Sequence, residues 1–197
     1  MAKLASAPLF KDSLSAAHQV FKGLCNVVGR DPVLATYRAS RAKANLAYLS
    51  NVEVLTGDGS QYDLEPCDVI LIHAGVTHPR SLWLDRLRPD GRLLLPLTFD
   101  FSGTNFGKGA VLVIRRAGLS FAAFFLPQPV LISSCTGVRD DELNERLLNG
   151  FRAGMVQSVH SLRRGVHEPD STCCLHSDRF HFCLSKRRLF KLPGRTS

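Results

Sequence analysis

NVEVLTGDG (residues 51–59), CDVILIHAG (67–75) and SLWLDRLRPDGRLLLPLT (81–98) follow one another closely in the chain. The first two are apolar runs of strand length that end in glycine-containing turns. The third is a short amphipathic segment, a Pro-Asp-Gly stop and another apolar run. Strands of a parallel sheet are covered on both faces and read as near-continuous Val, Ile and Leu. The pattern predicts an α/β fold with a Rossmann-like, mostly parallel sheet, whose central buried strand is 69–73. Ligands of such sheets bind beyond the carboxyl ends of the strands. Gly57-Asp58-Gly59 and His73-Ala74-Gly75 fall there.

Outward from this core, residues 82–87 predict a short helix and 93–97 the next strand. Residues 110–115 and 120–126 predict two strands joined by a turn at Ala117-Gly118, an antiparallel hairpin that finishes the sheet. Residues 140–155 predict a helix with acidic residues in its first turn, favourable against the helix dipole. Upstream, 39–49 is rich in helix formers, and 33–37 is short and β-prone. Between 13 and 28 apolar residues recur at spacings of three and four. That predicts an amphipathic helix capped by Ser13 and stopped by Gly29. The organisation expected is a flexible arm (1–12), a Rossmann-like domain (13–155), a C-terminal extension (156–185) and a basic tail (186–197).

A chain of 197 residues with 45% apolar content suits one α/β domain. No run approaches the roughly 18 apolar residues of a membrane span, and the first residues lack a hydrophobic signal core. A soluble, cytoplasmic protein with no membrane partner is expected. The net charge is +8, with much of the excess in KRRLFKLPGRTS at 186–197. Such a tail can hold nucleic acid, but no aromatic RNA-binding signature accompanies it, and a solvated terminus is the first reading. The six cysteines (Cys25, Cys67, Cys135, Cys173, Cys174 and Cys183) are expected as reduced thiols, the first three packed among apolar residues.

The order strand–GDG, strand–HAG, helix, PDGRLLLP, hairpin resembles the protein-L-isoaspartate O-methyltransferases, class I enzymes that use S-adenosylmethionine. The resemblance is best over residues 42–152. RAKANL…NVEVLTGDG is similar to the helix and strand before the family's adenine pocket. DVILIHAGVTHP resembles its fourth-strand segment, and LRPDGRLLLPLT its LkpGGrLvlPvg segment, with Asp90 where Gly is usual. SLSAAH at 13–18 is similar to the family's TISAPH substrate segment, with Ala17 in place of Pro.

The resemblance implies an S-adenosylmethionine-dependent methyltransferase acting on a carboxylate of a protein or peptide. It implies cofactor contacts at Gly57, Asp58, Gly59, His73, Ala74 and Gly75. In it, the Asp58 carboxylate accepts from the adenine amino group. Ser15, Thr77 and His78 fall where substrate approaches. Methyl transfer to a carboxylate needs positioning and exclusion of water more than a strong base, so no catalytic residue is assigned. A plain Asp-Gly turn at 58–59 and a His73 bonded to backbone are the alternative readings.

The chain also departs from the family in its cofactor motifs. It has no GxGxG to let backbone approach the cofactor. No acidic residue follows the second strand either, since Asp31 precedes its apolar run. The Rossmann-like sheet is therefore expected to be incomplete at its N-terminal βα unit. A non-catalytic remnant that acts as a binding module stays open beside the enzyme.

CCLHSDRFHFC at 173–183 concentrates Cys173, Cys174, His176, His181 and Cys183. Thiolates and imidazoles are zinc ligands, but the spacing matches no standard finger and contains no C-x2-C. The segment resembles the CWLHG…CLS ending of methyltransferase-like sequences, which implies a strand pair, and no metal is expected. SVHSLRR (158–164) and the stretch from His167 to Asp170 read as a surface connection, with a substrate rim as the alternative.

Overall fold

The computed structural model describes residues 21–26, 40–50, 52–100 and 105–187, with backbone only at 21–26, 56 and 136. These fall into two compact units, one ending at Gly57 and the other beginning at Asp58. In the first, helix α1 (40–46) precedes two parallel strands, β1 (Phe21–Asn26) and β2 (Val52–Gly57), paired from Phe21↔Val52 to Asn26↔Gly57.

β1 corrects the helix expected over 13–28. Residues 21–26 are extended, and the rest of that segment lies outside the described residues. The apolar positions there fit a helical period, but Gly23 lowers helix propensity. The parallel ladder with β2 pairs the backbone along one side of the strand instead. The arm 1–12, Ser15, Asp31, the 33–37 strand and most of the basic tail also lie outside the described residues.

The second unit is built on a seven-stranded sheet in the order β3-β4-β5-β6-β7-β9-β8. Its strands are β3 (Cys67–Leu71), β4 (Leu87–Asp100), β5 (Phe106–Ala117), β6 (Ser120–Ser133), β7 (Ser161–Arg164), β8 (Cys173–Ser177) and β9 (Phe182–Ser185). Its helices are α2 (Ser81–Asp85), α3 (Asp141–Arg152) and α4 (Met155–Ser158). The α/β class stands, with the parallel-to-antiparallel change at the hairpin as expected. The antiparallel part is the larger: β3–β4 is the one parallel pair of this sheet among the described residues. Residues 156–185 contribute β7, β8 and β9 to the same sheet.

The core lies on one face. Period-two alternation sends Leu93, Leu95 and Leu97 of β4 inward against Ile114, Leu112 and Ala110 of β5. Ala123 and Phe125 of β6 extend the rows. Helix α3 closes this face with buried Leu143 and Leu147 and with Phe151, whose ring meets Phe99 and Phe125 at 5.8 and 5.7 Å. Asp140 caps the helix by accepting from the Leu143 N–H at 3.0 Å.

β3 is the second correction. It is an edge strand, not the central one: Ile70 is buried, whereas Val69 and Leu71 are 50% and 65% exposed. A run of apolar residues does not by itself say whether one face or two are covered, and here the second face is open in part. Pro89-Asp90-Gly91 does not end an element either. It bulges within β4, where pairing jumps from Cys67↔Leu87 to Val69↔Arg92 and Asp90 takes the left-handed φ of 62°. The hairpin turn is Gly118-Leu119, with Gly118 at φ 63° and Ala117 paired to Ser120. No described helix is long and apolar enough to cross a membrane.

Candidate functional site

Asp58 opens the second unit on a tight turn. Its Oδ1 accepts from the Ser60 N–H at 2.9 Å, its Oδ2 from Gln61 Nε2 at 3.0 Å, and its carbonyl from the N–H groups of Gln61 and Tyr62. This is the hydrogen-bond pattern of an Asx turn, which gives an Asp-Gly pair its turn preference. The next carbonyl, of buried Gly59, accepts from Trp83 Nε1 of α2 at 3.0 Å. Asp58 itself stays exposed on the pinned turn.

Beyond β3 the chain continues alongside β4. Ile72 N–H donates to Leu94, Val76 N–H to Pro96, and Thr98 N–H back to Val76. Gly75 crosses over to the end of β6, donating to the Ser133 carbonyl and accepting from Cys135 N–H, both at 2.8 Å. Its small size is required by its neighbours: an added Cβ would stand 2.5 Å from Thr98 Oγ1. Thr77 N–H donates to the Val138 carbonyl at 3.1 Å.

The segment 133–139, including a 3-10 turn at Thr136–Val138, therefore joins the two predicted turns. On one side it receives Gly75 and Thr77. On the other, a Cβ on Gly137 would lie 3.8 Å from Ser60 Oγ and 4.0 Å from Asp58 Oδ2. The GDG and HAG turns meet the same segment beyond the carboxyl ends of β3, β4 and β6.

Arg139 fixes this rim. Its Nη1 donates to Thr98 O and Oγ1, both at 2.9 Å, and its Nη2 donates to Asn144 Oδ1 at 2.6 Å and faces Asp100 Oδ1 at 2.9 Å. Asp100 Oδ1 also accepts from Ser134 Oγ, and Asp100 N–H donates to Asn144 Oδ1 at 2.7 Å. Burial pulls the guanidinium below its ordinary range, and Asp100 opposes that. Sequence reading missed this network. Its one signal was Asp100, an acidic residue at the carboxyl end of an apolar run.

The predicted residues separate by exposure. Asp58 and His73 are exposed and Ala74 is half-buried, whereas Gly59 and Gly75 are buried. Gly57 closes β2, with nothing within 4 Å of where its Cβ would be. Thr77 and His78 do not sit on an open loop as expected. They are 0% and 2% exposed. Thr77 Oγ1 donates to the Val138 carbonyl at 3.4 Å and meets His78 Nδ1 at 3.0 Å, and the His78 ring stacks on Phe180 at 3.7 Å. Burial drives the His78 pKa down to about 4, with Arg80 adding to the shift. Both residues position the rim and do not face solvent.

Residues 14–105 match the family model described as protein-L-isoaspartate(D-aspartate) O-methyltransferase (PCMT). Among solved structures the chain is similar to a protein-L-isoaspartate O-methyltransferase, at 16% identity and a TM-score of 0.42, over 62% of this chain and 36% of that one. It is also similar to one from Plasmodium falciparum, described as a protein-L-isoaspartate O-methyltransferase (beta-aspartate methyltransferase) in complex with S-adenosyl-L-homocysteine. That match has 16% identity and a TM-score of 0.40, over 58% and 51%. The chain thus spans about a third and about half of these two proteins. None of the curated proteins matches. The family-model match covers residues 14–105, just under half of the chain, and overlaps the segment in which the motifs resemble that family.

Proposed function

We propose that the chain is an S-adenosylmethionine-dependent methyltransferase of the protein-L-isoaspartate O-methyltransferase type, acting in the cytoplasm on a carboxylate of a protein or peptide. The observation that carries this reading is the Asp58 turn. An exposed carboxylate is held by Ser60, Gln61 and the Trp83–Gly59 bond, on the rim shared with Gly75 and within the family-matched residues.

The residues present fit the cofactor's adenosine. Each Asp58 oxygen takes one local bond, and a carboxylate oxygen has a further lone pair, so the adenine amino group has an acceptor. The exposed His73 and the half-buried Ala74 supply the rest of the binding edge. When bound, the cofactor supplies an electrophilic methyl group. The chain's own residues bind and orient: Asp58 holds the base, Arg139 and Asp100 keep the rim rigid, and Thr77 fastens it to Val138.

The missing GxGxG favours a second reading, a domain that binds the cofactor or a partner without transferring the methyl group. Calorimetric titration with S-adenosylmethionine, followed by methyl transfer to an isoaspartyl peptide, separates the readings. Binding with transfer supports the enzyme. Binding without transfer leaves the binding module, and no binding at millimolar cofactor rejects the enzyme. Asp58→Ala should weaken binding by about 1–3 kcal/mol, the cost of unpairing a polar partner.

A further inference from the structure

At the sheet edge made by β8 and β9, His167, Cys173, His176 and Cys183 each bring one metal-ligating atom to within 4.8 Å of the others. We propose that these four side chains form a structural zinc site.

The ring nitrogens carry the argument. His167 Nδ1 pairs with the Glu168 carbonyl at 2.8 Å, and His176 Nε2 with Asp178 Oδ1 at 2.9 Å. These partners accept, so each ring carries its proton on the paired nitrogen and a lone pair on the other. The other nitrogens, His167 Nε2 and His176 Nδ1, are buried and have no hydrogen-bond partner. Metal-ligating histidines show this pattern: one nitrogen oriented by a carbonyl or carboxylate, the other free to coordinate. A buried orphan acceptor is otherwise costly, and here two of them share one cluster.

The sulfurs complete the set. Cys183 is buried, and Cys173 accepts from the Asp170 N–H at 3.3 Å and from Arg163 Nη2 at 3.1 Å. Arg163 Nη2 also reaches Cys183 Sγ at 3.6 Å. The shared Arg163 contact holds the two sulfurs together, beside the two free ring nitrogens. Two thiolates and two imidazoles in tetrahedral array select zinc among common divalent ions. With Zn–S near 2.3 Å and Zn–N near 2.0 Å, tetrahedral ligand atoms stand about 3.3–3.8 Å apart. The observed cluster closes to that spacing with shifts of about 1 Å. Four protein ligands leave no open position, so the site is structural.

The fold explains why the spacing looked wrong. Cys173 and His176 are three apart, which on a regular strand puts them on opposite faces. The ladder slips between them: Cys173 pairs with Ser185 and Leu175 with Leu184, so Cys174 is an extra residue. That bulge returns Cys173 and His176 to one face, with His176 directly opposite Cys183. His167 arrives from the β7–β8 connection, its ring 4.5 Å from that of His176. Of the five residues in the Cys/His-rich segment, Cys174 and His181 drop out and the more distant His167 enters.

The test uses the full chain purified from zinc-supplemented growth. Elemental analysis should find one zinc per chain. A Cys173→Ser/Cys183→Ser variant should lose it, and Cys174→Ser should keep it. Stripping the unsubstituted chain with a chelator and adding cobalt(II) should give the visible bands of a tetrahedral site with thiolate charge transfer, abolished by zinc. The cobalt measurement stands even if a variant fails to fold. An unsubstituted chain that carries no zinc and gives no tetrahedral cobalt spectrum would overturn the proposal. So would a Cys173–Cys183 disulfide in the metal-free chain purified with reductant.

Discussion

At the residue scale the site divides between side chains that face outward and side chains that hold them in place. Asp58 does the first and His78 the second. The His78 imidazole fits one consistent assignment: Nδ1–H donates to Thr77 Oγ1, which donates to Val138, and Nε2 is left without a partner. The ring is neutral in the fold, with a pKa lowered from 6.5 to about 4. The unfolded chain therefore takes up the proton first as pH falls. Stability from this group is complete above pH 6.5 and is lost between there and about pH 4. The loss should be on the order of 1–3 kcal/mol, visible as a falling urea midpoint. His78→Phe keeps the stack on Phe180 and should flatten that limb, and an unchanged acid slope would reject the assignment. The exposed residues Asp58 and His73 were legible in the sequence because they follow apolar runs directly. Thr77 and His78 lie on a loop as read, but the loop is buried, not open to substrate. Their burial depends on Phe180 and Val138, far away in the chain, and no local pattern reports that.

At the element scale, β2, α3 and the β5–β6 hairpin were legible from period, cap and turn chemistry. β1 was not, because its apolar residues follow a helical spacing and the pairing with β2 overrides it. The β4 bulge is a subtler case. Asp90 stands at φ 62° where the resembled family has Gly. A non-glycine residue in that region costs about 1–2 kcal/mol. The ion pair it forms with Arg115 at 2.9 Å is more than half exposed on both sides and returns less than about 1 kcal/mol. Asp90→Gly should raise stability by about 0.5–1 kcal/mol in thermal melts, and a lowered melting temperature would show that the Arg115 contact matters more than the strain. For helix α2, Trp83→Phe leaves the buried Gly59 carbonyl unpaired. It should lower stability by about 1–3 kcal/mol and weaken cofactor binding through the loosened Asp58 turn. A stability loss with unchanged affinity would separate the two.

At the scale of the molecule, the second unit is a one-sided core with a polar clamp at the rim. The clamp is a partly buried ion pair, with Arg139 13% and Asp100 25% exposed. Removing one partner leaves the other charge without compensation. Asp100→Ala should therefore cost about 3 kcal/mol in urea unfolding, and a change below about 1 kcal/mol would mean that Thr98 and Asn144 hold Arg139 unaided. The α/β class and the shared rim were legible because the strand order follows the chain from 51 to 98. The share of antiparallel pairing was not, because β7, β8 and β9 are short and their pairing is set by contacts with β6. The slip at Cys174 hid the four-residue cluster for the same reason: face depends on register, and register is a property of the assembled sheet.

Isothermal titration of the full chain with S-adenosyl-L-homocysteine, beside Asp58→Ala, tests the cofactor site most directly. The account predicts saturable binding at one site, weakened about 5- to 150-fold by the substitution, the equivalent of about 1–3 kcal/mol. No binding at millimolar ligand, or binding that Asp58→Ala leaves unchanged, would contradict it.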